Sequence, residues 1–189
     1  MLHIGILGGS FNPIHNGHLR LAQAVLERGW VDEVWLLVSP QNPLKSQAEL
    51  ADEQLRLSMA RDAVKRENHI KVCDIEFSLP RPSYTWNTLE ALEEQYPENC
   101  FSLIVGGDNW QDFQRWAHWV EILANYELIV YPRPDSSISP TTLPPTVHLL
   151  DVPLLPISST DIRKKIKQGK DISEEVPSSV VPVCQQIYR

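Results

Sequence analysis

The sequence predicts an α/β protein built on a doubly wound open parallel sheet, with a C-terminal helical segment. Three observations carry this. Apolar runs of strand length alternate with amphipathic stretches from the first residues onward. The strand runs lack the apolar/polar alternation of a half-exposed sheet, as strands covered on both faces should. A glycine-rich turn joins the first run to the first amphipathic stretch. Right-handed crossovers then put helices on both faces and a ligand at the carboxyl ends, where the strand order reverses.

Residues 2–7 read as a buried strand, and residues 17–28 as a helix through Leu19, Ala22, Val25 and Leu26. Residues 33–38 (EVWLLV) form the second strand and 54–65 the second helix. A strand over 70–75 and a helix over 85–96 follow. Residues 101–105 (FSLIV) are a strand, 110–123 helical and 128–131 a strand. The Pro/Ser/Thr-rich stretch 132–145 is too short for an interdomain linker and reads as a mobile loop or lid. After an apolar run at 147–152, a helix starts near Ser158 and a last one covers 179–187. No internal repeat is found, and 189 residues predict one domain spanning 1–189.

A net charge of −7 disfavours nucleic acid as the main partner, which would need a clustered basic surface. No run of about 18 apolar residues suggests a membrane span. The first residues lack the basic and apolar regions of a secretory signal. Cys73, Cys100 and Cys184 form no C-x-x-C and read as reduced thiols, so a cytoplasmic location is expected. Whether the chain forms a homo-oligomer stays open.

The chemistry concentrates in Gly8-Gly9-Ser10-Phe11-Asn12-Pro13-Ile14-His15-Asn16-Gly17-His18. The paired glycines allow a tight turn with accessible N–H groups. A helix N-terminus beyond them supplies further donors and a positive dipole end, suited to a phosphate. His15 and His18, three residues apart, can face the same anion. No G-K-[ST] makes this a Walker A loop, and the glycine spacing is not G-x-G-x-x-G. A zinc site fits poorly, since the spacing is not i, i+4 and no third ligand follows. No protein metal ligand is expected.

The H-x-G-H motif after a first strand resembles the nucleotidyltransferase superfamily. The fuller run resembles the bacterial nicotinate-nucleotide adenylyltransferases, which usually show G-G-[ST]-F-[DN]-P-x-H-x-G-H. Further blocks extend the resemblance in order: PQNPLKS at 40–46, PSYT at 82–85, GGDN at 106–109, the strand ending in Arg133-Pro134, and ISSTDIR at 157–163. What it implies is a Rossmann-like nucleotidyltransferase fold that transfers the AMP part of ATP to nicotinate mononucleotide, releasing pyrophosphate with the help of Mg²⁺. Catalytic roles fall on His15, His18, Lys45 and Arg163. The ATP site would draw on Gly8, Gly9, Ser10, His18, Gly106, Asp108, Ser158, Ser159 and Arg163. The mononucleotide would meet Ser10, Phe11, Lys45, Thr85, Trp116 and Arg133, with Trp116 on the pyridine ring and Thr85 at the nicotinate carboxylate.

Read without the family, several of these residues have plainer accounts. Ser158, Ser159 or Thr160 can simply cap a helix, Asp108 can end a strand, and Lys45 and Arg133 can be solvated loop cations. PQNPL before Lys45 replaces the usual P-P-H, and Ala117 follows Trp116 where tyrosine is frequent. These departures bear on which mononucleotide is preferred. Nicotinamide mononucleotide as acceptor, and a non-catalytic ATP-binding regulator on the same fold, are the rival readings. The protonation of His15 and His18 is open.

Overall fold

The computed structural model describes residues 1–41, 50–133, 136, 138–153 and 156–189. Six strands make one sheet: β1 (His3–Gly9), β2 (Glu33–Val38), β3 (Ile70–Cys73), β4 (Cys100–Gly106), β5 (Glu127–Tyr131) and β6 (Val147–Leu149). They lie in the order β3-β2-β1-β4-β5-β6, and every pairing is parallel. This is the doubly wound arrangement that the alternation of runs predicts.

The two faces follow from the period of two along each strand. Ile4 and Ile6 of β1, with Trp35 and Leu37 of β2, pack under Leu89 and Leu92 of α3 (Thr85–Gln95) and Ile122 of α5 (Trp119–Asn125). Leu7, Val34, Leu36 and Val38 point the other way. They meet α1 (Asn16–Glu27), α2 (Glu53–Val64), α6 (Ser159–Lys167) and α7 (Val181–Ile187), through residues such as Val25, Leu57, Ile162 and Cys184. All six residues of β2 are buried, the five apolar ones as an uninterrupted run requires, and Glu33 while accepting from Trp35 and Lys71.

Local chemistry sets the helix ends. Asp52 caps α2 by accepting from the N–H groups of Gln54 (2.9 Å) and Leu55 (3.2 Å). Ser158 caps α6 by accepting from Asp161 N–H at 3.1 Å. Gly29, at φ +69°, ends α1 in the left-handed conformation, and its N–H reaches the Leu26 carbonyl at 2.9 Å.

The structure departs from the sequence reading in three places. The helix expected over 110–123 is broken into α4 (Gly107–Gln111), a 3-10 turn (Phe113–Arg115) and α5. Trp116 is extended, and His118 is left-handed at φ 58°. Neither residue continues a helix in that conformation. The third strand stops at Cys73, before a 3-10 turn (Ile75–Phe77). The last helix starts at Val181, because a turn in which the Val180 N–H reaches the Pro177 carbonyl precedes it.

Candidate active site

β1 and β4 are neighbours, with Leu7 opposite Ile104. The chain leaves β1 for α1 on one face, and leaves β4 for α4 and α5 on the way to β5. Their carboxyl ends therefore open a crevice at the switch point of the sheet. Gly8 and Gly9 stand at one lip and Gly106, Gly107 and Asp108 at the other.

The first loop is held in an unusual conformation. Phe11 is left-handed at φ 46°, which a side chain with Cβ adopts reluctantly. Its ring is buried and meets His18 edge-on, 4.9 Å between centroids. His15 sits at the N-cap of α1 and His18 one turn on, with their rings stacked 3.6 Å apart at 22°. The His15 N–H donates to His18 Nδ1 at 3.2 Å, so a neutral His18 carries its proton on Nε2.

Burial, with a smaller contribution from the Arg133 charge, pushes the His15 pKa down to about 4. His15 is therefore a neutral ring at pH 7, one of the two states left open by the sequence. Its Nδ1 and the Ser10 Oγ are buried without a hydrogen-bond partner among the described residues. Two orphaned polar atoms at one loop mark a place built for a polar ligand.

The remaining expected residues divide into those that face the crevice and those that support it. Arg163 donates from Nη1 to the Asn12 carbonyl at 2.9 Å. Ser159 Oγ donates to the Pro13 carbonyl at 2.9 Å. Both therefore tie the start of α6 to the first loop. Across the crevice, Arg133 Nε lies 3.9 Å from Asp108 Oδ1, and Arg133 Nη2 donates to the Tyr131 hydroxyl at 3.2 Å. An added Cβ at Gly107 would come 2.9 Å from the Ser136 Cβ, so the chain after β5 packs directly on this glycine. Lys45 lies outside the described residues.

A cavity of about 280 Å³ extends from Gly8 and Gly9 past Val105 to Thr85 and Trp116. It joins the phosphate-type loop to the residues expected around the pyridine ring. Two charged liners, Glu76 and Arg115, were not singled out from the sequence. Glu76 is buried, accepts from the Thr88 hydroxyl at 2.9 Å and leaves its other oxygen without a partner among the described residues. A carboxylate inside the apolar segment DIEFSL was the available signal.

Two supporting residues were assigned no role from the sequence. Arg56 of α2 is 1% exposed and donates to four carbonyls around the first two loops. The Tyr188 hydroxyl donates to Asn12 Oδ1 at 2.7 Å from the far end of the chain, and that oxygen also accepts from the Ala51 N–H.

An open parallel sheet whose first loop presents stacked H-x-G-H histidines at the switch point defines a nucleotidyltransferase. A cytidylyltransferase-like family model matches residues 6–165. The chain is 49% identical over 168 residues to a Bacteroides fragilis protein named probable nicotinate-nucleotide adenylyltransferase, covering 89% of this chain and 84% of that one. A Flavobacterium johnsoniae protein of the same name is 44% identical, over 95% of this chain and 94% of its own. The chain thus belongs to the cytidylyltransferase-like family and, within it, to the nicotinate-nucleotide adenylyltransferases. The fold is shared with Plasmodium falciparum nicotinic acid mononucleotide adenylyltransferase complexed with NaAD, at a TM-score of 0.79 and 21% identity over 97% of this chain and 96% of that one.

Proposed function

We propose that residues 1–189 act as one catalytic unit that joins nicotinate mononucleotide to the AMP part of ATP. The products are nicotinate adenine dinucleotide and pyrophosphate. A 5′-phosphate oxygen of the mononucleotide forms a bond to the α-phosphorus of ATP. The bond from that phosphorus to the bridging oxygen breaks, and the electron pair leaves with pyrophosphate. The nucleophile is already ionised at pH 7, so catalysis is alignment of two polyanions and stabilisation of the equatorial oxygens.

The observation that carries this reading is the continuity of the cavity from the first loop to Thr85 and Trp116. A phosphate at Gly9 and a ring on Trp116 would then share one cavity. His18 donates to the α-phosphate from Nε2, with neutral His15 stacked behind it. Gly106 and Asp108 take the ATP ribose, while Arg163 and Ser159 bring the start of α6 to the phosphates. Lys45 and Arg133 complete the charge that the mononucleotide phosphate meets. The N-terminus of α3 at Thr85, with Arg115 also lining the cavity, suits a substrate carboxylate.

Magnesium is assigned to the substrate, as MgATP. Among the described residues no group of three or more His, Cys, Asp or Glu is placed to hold a metal ion, and triphosphate oxygens with water make a common Mg²⁺ shell. Among the described residues no helix is long and apolar enough to cross a membrane. A cytoplasmic location is part of this reading, and the use of two soluble nucleotide substrates supports it.

One observation favours a second reading. The unpartnered Glu76 oxygen is an acceptor that the amide of nicotinamide mononucleotide could use. Pyrophosphate release with MgATP, run in parallel on the two mononucleotides, separates them. We expect release with the nicotinate form; release with the nicotinamide form alone overturns the substrate, and release with neither overturns the reaction. His18→Ala should lower kcat by about 100-fold or more, the usual cost of losing one preorganised donor to a reacting oxyanion. An unchanged kcat would remove His18 from the mechanism.

A further inference from the structure

We propose that Arg56 is a positioning residue for adenylyl transfer: its guanidinium sets the peptide between Ser10 and Phe11 so that the Phe11 N–H faces the reacting phosphates. The inference rests on the reaction proposed above. Arg56 projects from the first turn of α2 and is 1% exposed. Its Nη1 donates to the Ser10 carbonyl at 2.6 Å and the Ser39 carbonyl at 2.8 Å. Its Nη2 donates to the Pro40 carbonyl at 2.8 Å, and its Nε to the Ala51 carbonyl at 3.0 Å. Among the described residues no carboxylate lies within ion-pair distance of it. A buried cation satisfied wholly by backbone oxygens fixes the direction of those peptides rather than neutralising a charge.

The direction matters at Ser10. The Ser10–Phe11 peptide is not among the cis bonds, so its N–H points opposite to its carbonyl. With the carbonyl drawn down to Arg56, the Phe11 N–H is turned away from α2. Among the described residues no group accepts from that N–H. The neighbouring Ser10 Oγ is likewise buried and unpartnered. Phe11 at φ 46° would relax if the peptide were free to rotate. Arg56 is the group that opposes that rotation, and a planar fork with several donors in fixed directions does this where an ammonium cannot.

The same side chain links two loops of the crevice. Ser39 and Pro40 follow β2 and Ala51 precedes α2, so three of the four carbonyls belong to the connection between those elements. The Ser39 N–H in turn donates to the Gly9 carbonyl at 2.9 Å. One guanidinium therefore sets the spacing between the first loop and the second.

The test compares parent, Arg56→Lys and Arg56→Ala by pyrophosphate release with MgATP and nicotinate mononucleotide, beside thermal unfolding. An inactive parent would sink the reaction itself and not this inference alone. With an active parent, Arg56→Lys should lower kcat by about tenfold or more with a smaller change in KM, and Arg56→Ala by about 100-fold, as expected for misplaced reacting groups. Millimolar guanidinium should restore part of the Arg56→Ala activity, and ammonium at the same concentration should not. A folded Arg56→Lys or Arg56→Ala with parental kcat overturns the proposal, and so does a folded Arg56→Ala that guanidinium leaves inactive. If Arg56→Ala does not fold, Arg56→Lys decides. One further arm needs no variant: the Phe11 amide resonance of the parent should shift when MgATP and mononucleotide bind, and an unmoved resonance overturns the orientation.

Discussion

His15 makes the stability of the protein depend on pH in a window that can be worked from its environment. Its pKa falls from 6.5 in a free chain to about 4 in the fold, chiefly because the ring is buried. Between those values the unfolded chain binds the proton and the folded one does not. Stability therefore rises with pH across the window and is lost as pH falls below 6.5. For a single group with these two pKa values, moving from pH 7.5 to pH 4.5 costs about 2.5 kcal/mol of folding free energy. Carboxylates also titrate there, so the perturbation must isolate the ring. Denaturant unfolding of parent and His15→Gln at both pH values does so, since the variant keeps every other titrating group. The parent should lose about 2.5 kcal/mol more than the variant between the two conditions. Equal losses would show that His15 accepts a proton in the folded state and would refute the burial argument. Arg133→Ala should move the window less than any change that opens the His15 site to water, because the charge is the smaller cause.

Other consequences follow from the loop supports. Tyr188→Phe removes one donor from Asn12 Oδ1 but leaves the Ala51 N–H on it. The expected cost is about 1 kcal/mol, read as a fall of about 2–4 °C in Tm by thermal unfolding. Gly107→Ala puts a methyl group into the Ser136 side chain and within 3.0 Å of Ile138 Cδ1. It should destabilise by about 1 kcal/mol and raise the KM for ATP, since the chain after β5 must lift from the crevice lip. An unchanged KM would separate that segment from the ATP site.

Much of this architecture was legible because burial on both faces leaves a plain mark on a strand. The run EVWLLV at 33–38 is strand in the structure residue for residue. The first loop was legible for a different reason: paired glycines and two histidines in one short turn have few uses. The stretch 110–123 was misread because WQDFQRWAHWVEIL holds no glycine or proline to mark a break. What breaks the helix is the backbone, extended at Trp116 and left-handed at His118. Arg56 was invisible for a third reason. An arginine in an amphipathic helix reads as solvated, and only the carbonyls brought to it by the fold give it a use.

The bond from Tyr188 to Asn12 spans 176 residues of sequence, and Ser159 and Arg163 reach the same loop from almost as far. Contacts of such separation close large loops, and forming them is slow because the entropy of closure is spent before they reward it. A turn synthesised ahead of its supports is thus finished late. A nascent chain, or one frayed at its far end, keeps the sheet that carries the histidines while leaving their loop without its supports. Catalytic competence becomes a late event in the life of the molecule, separable in time from the collapse of its core.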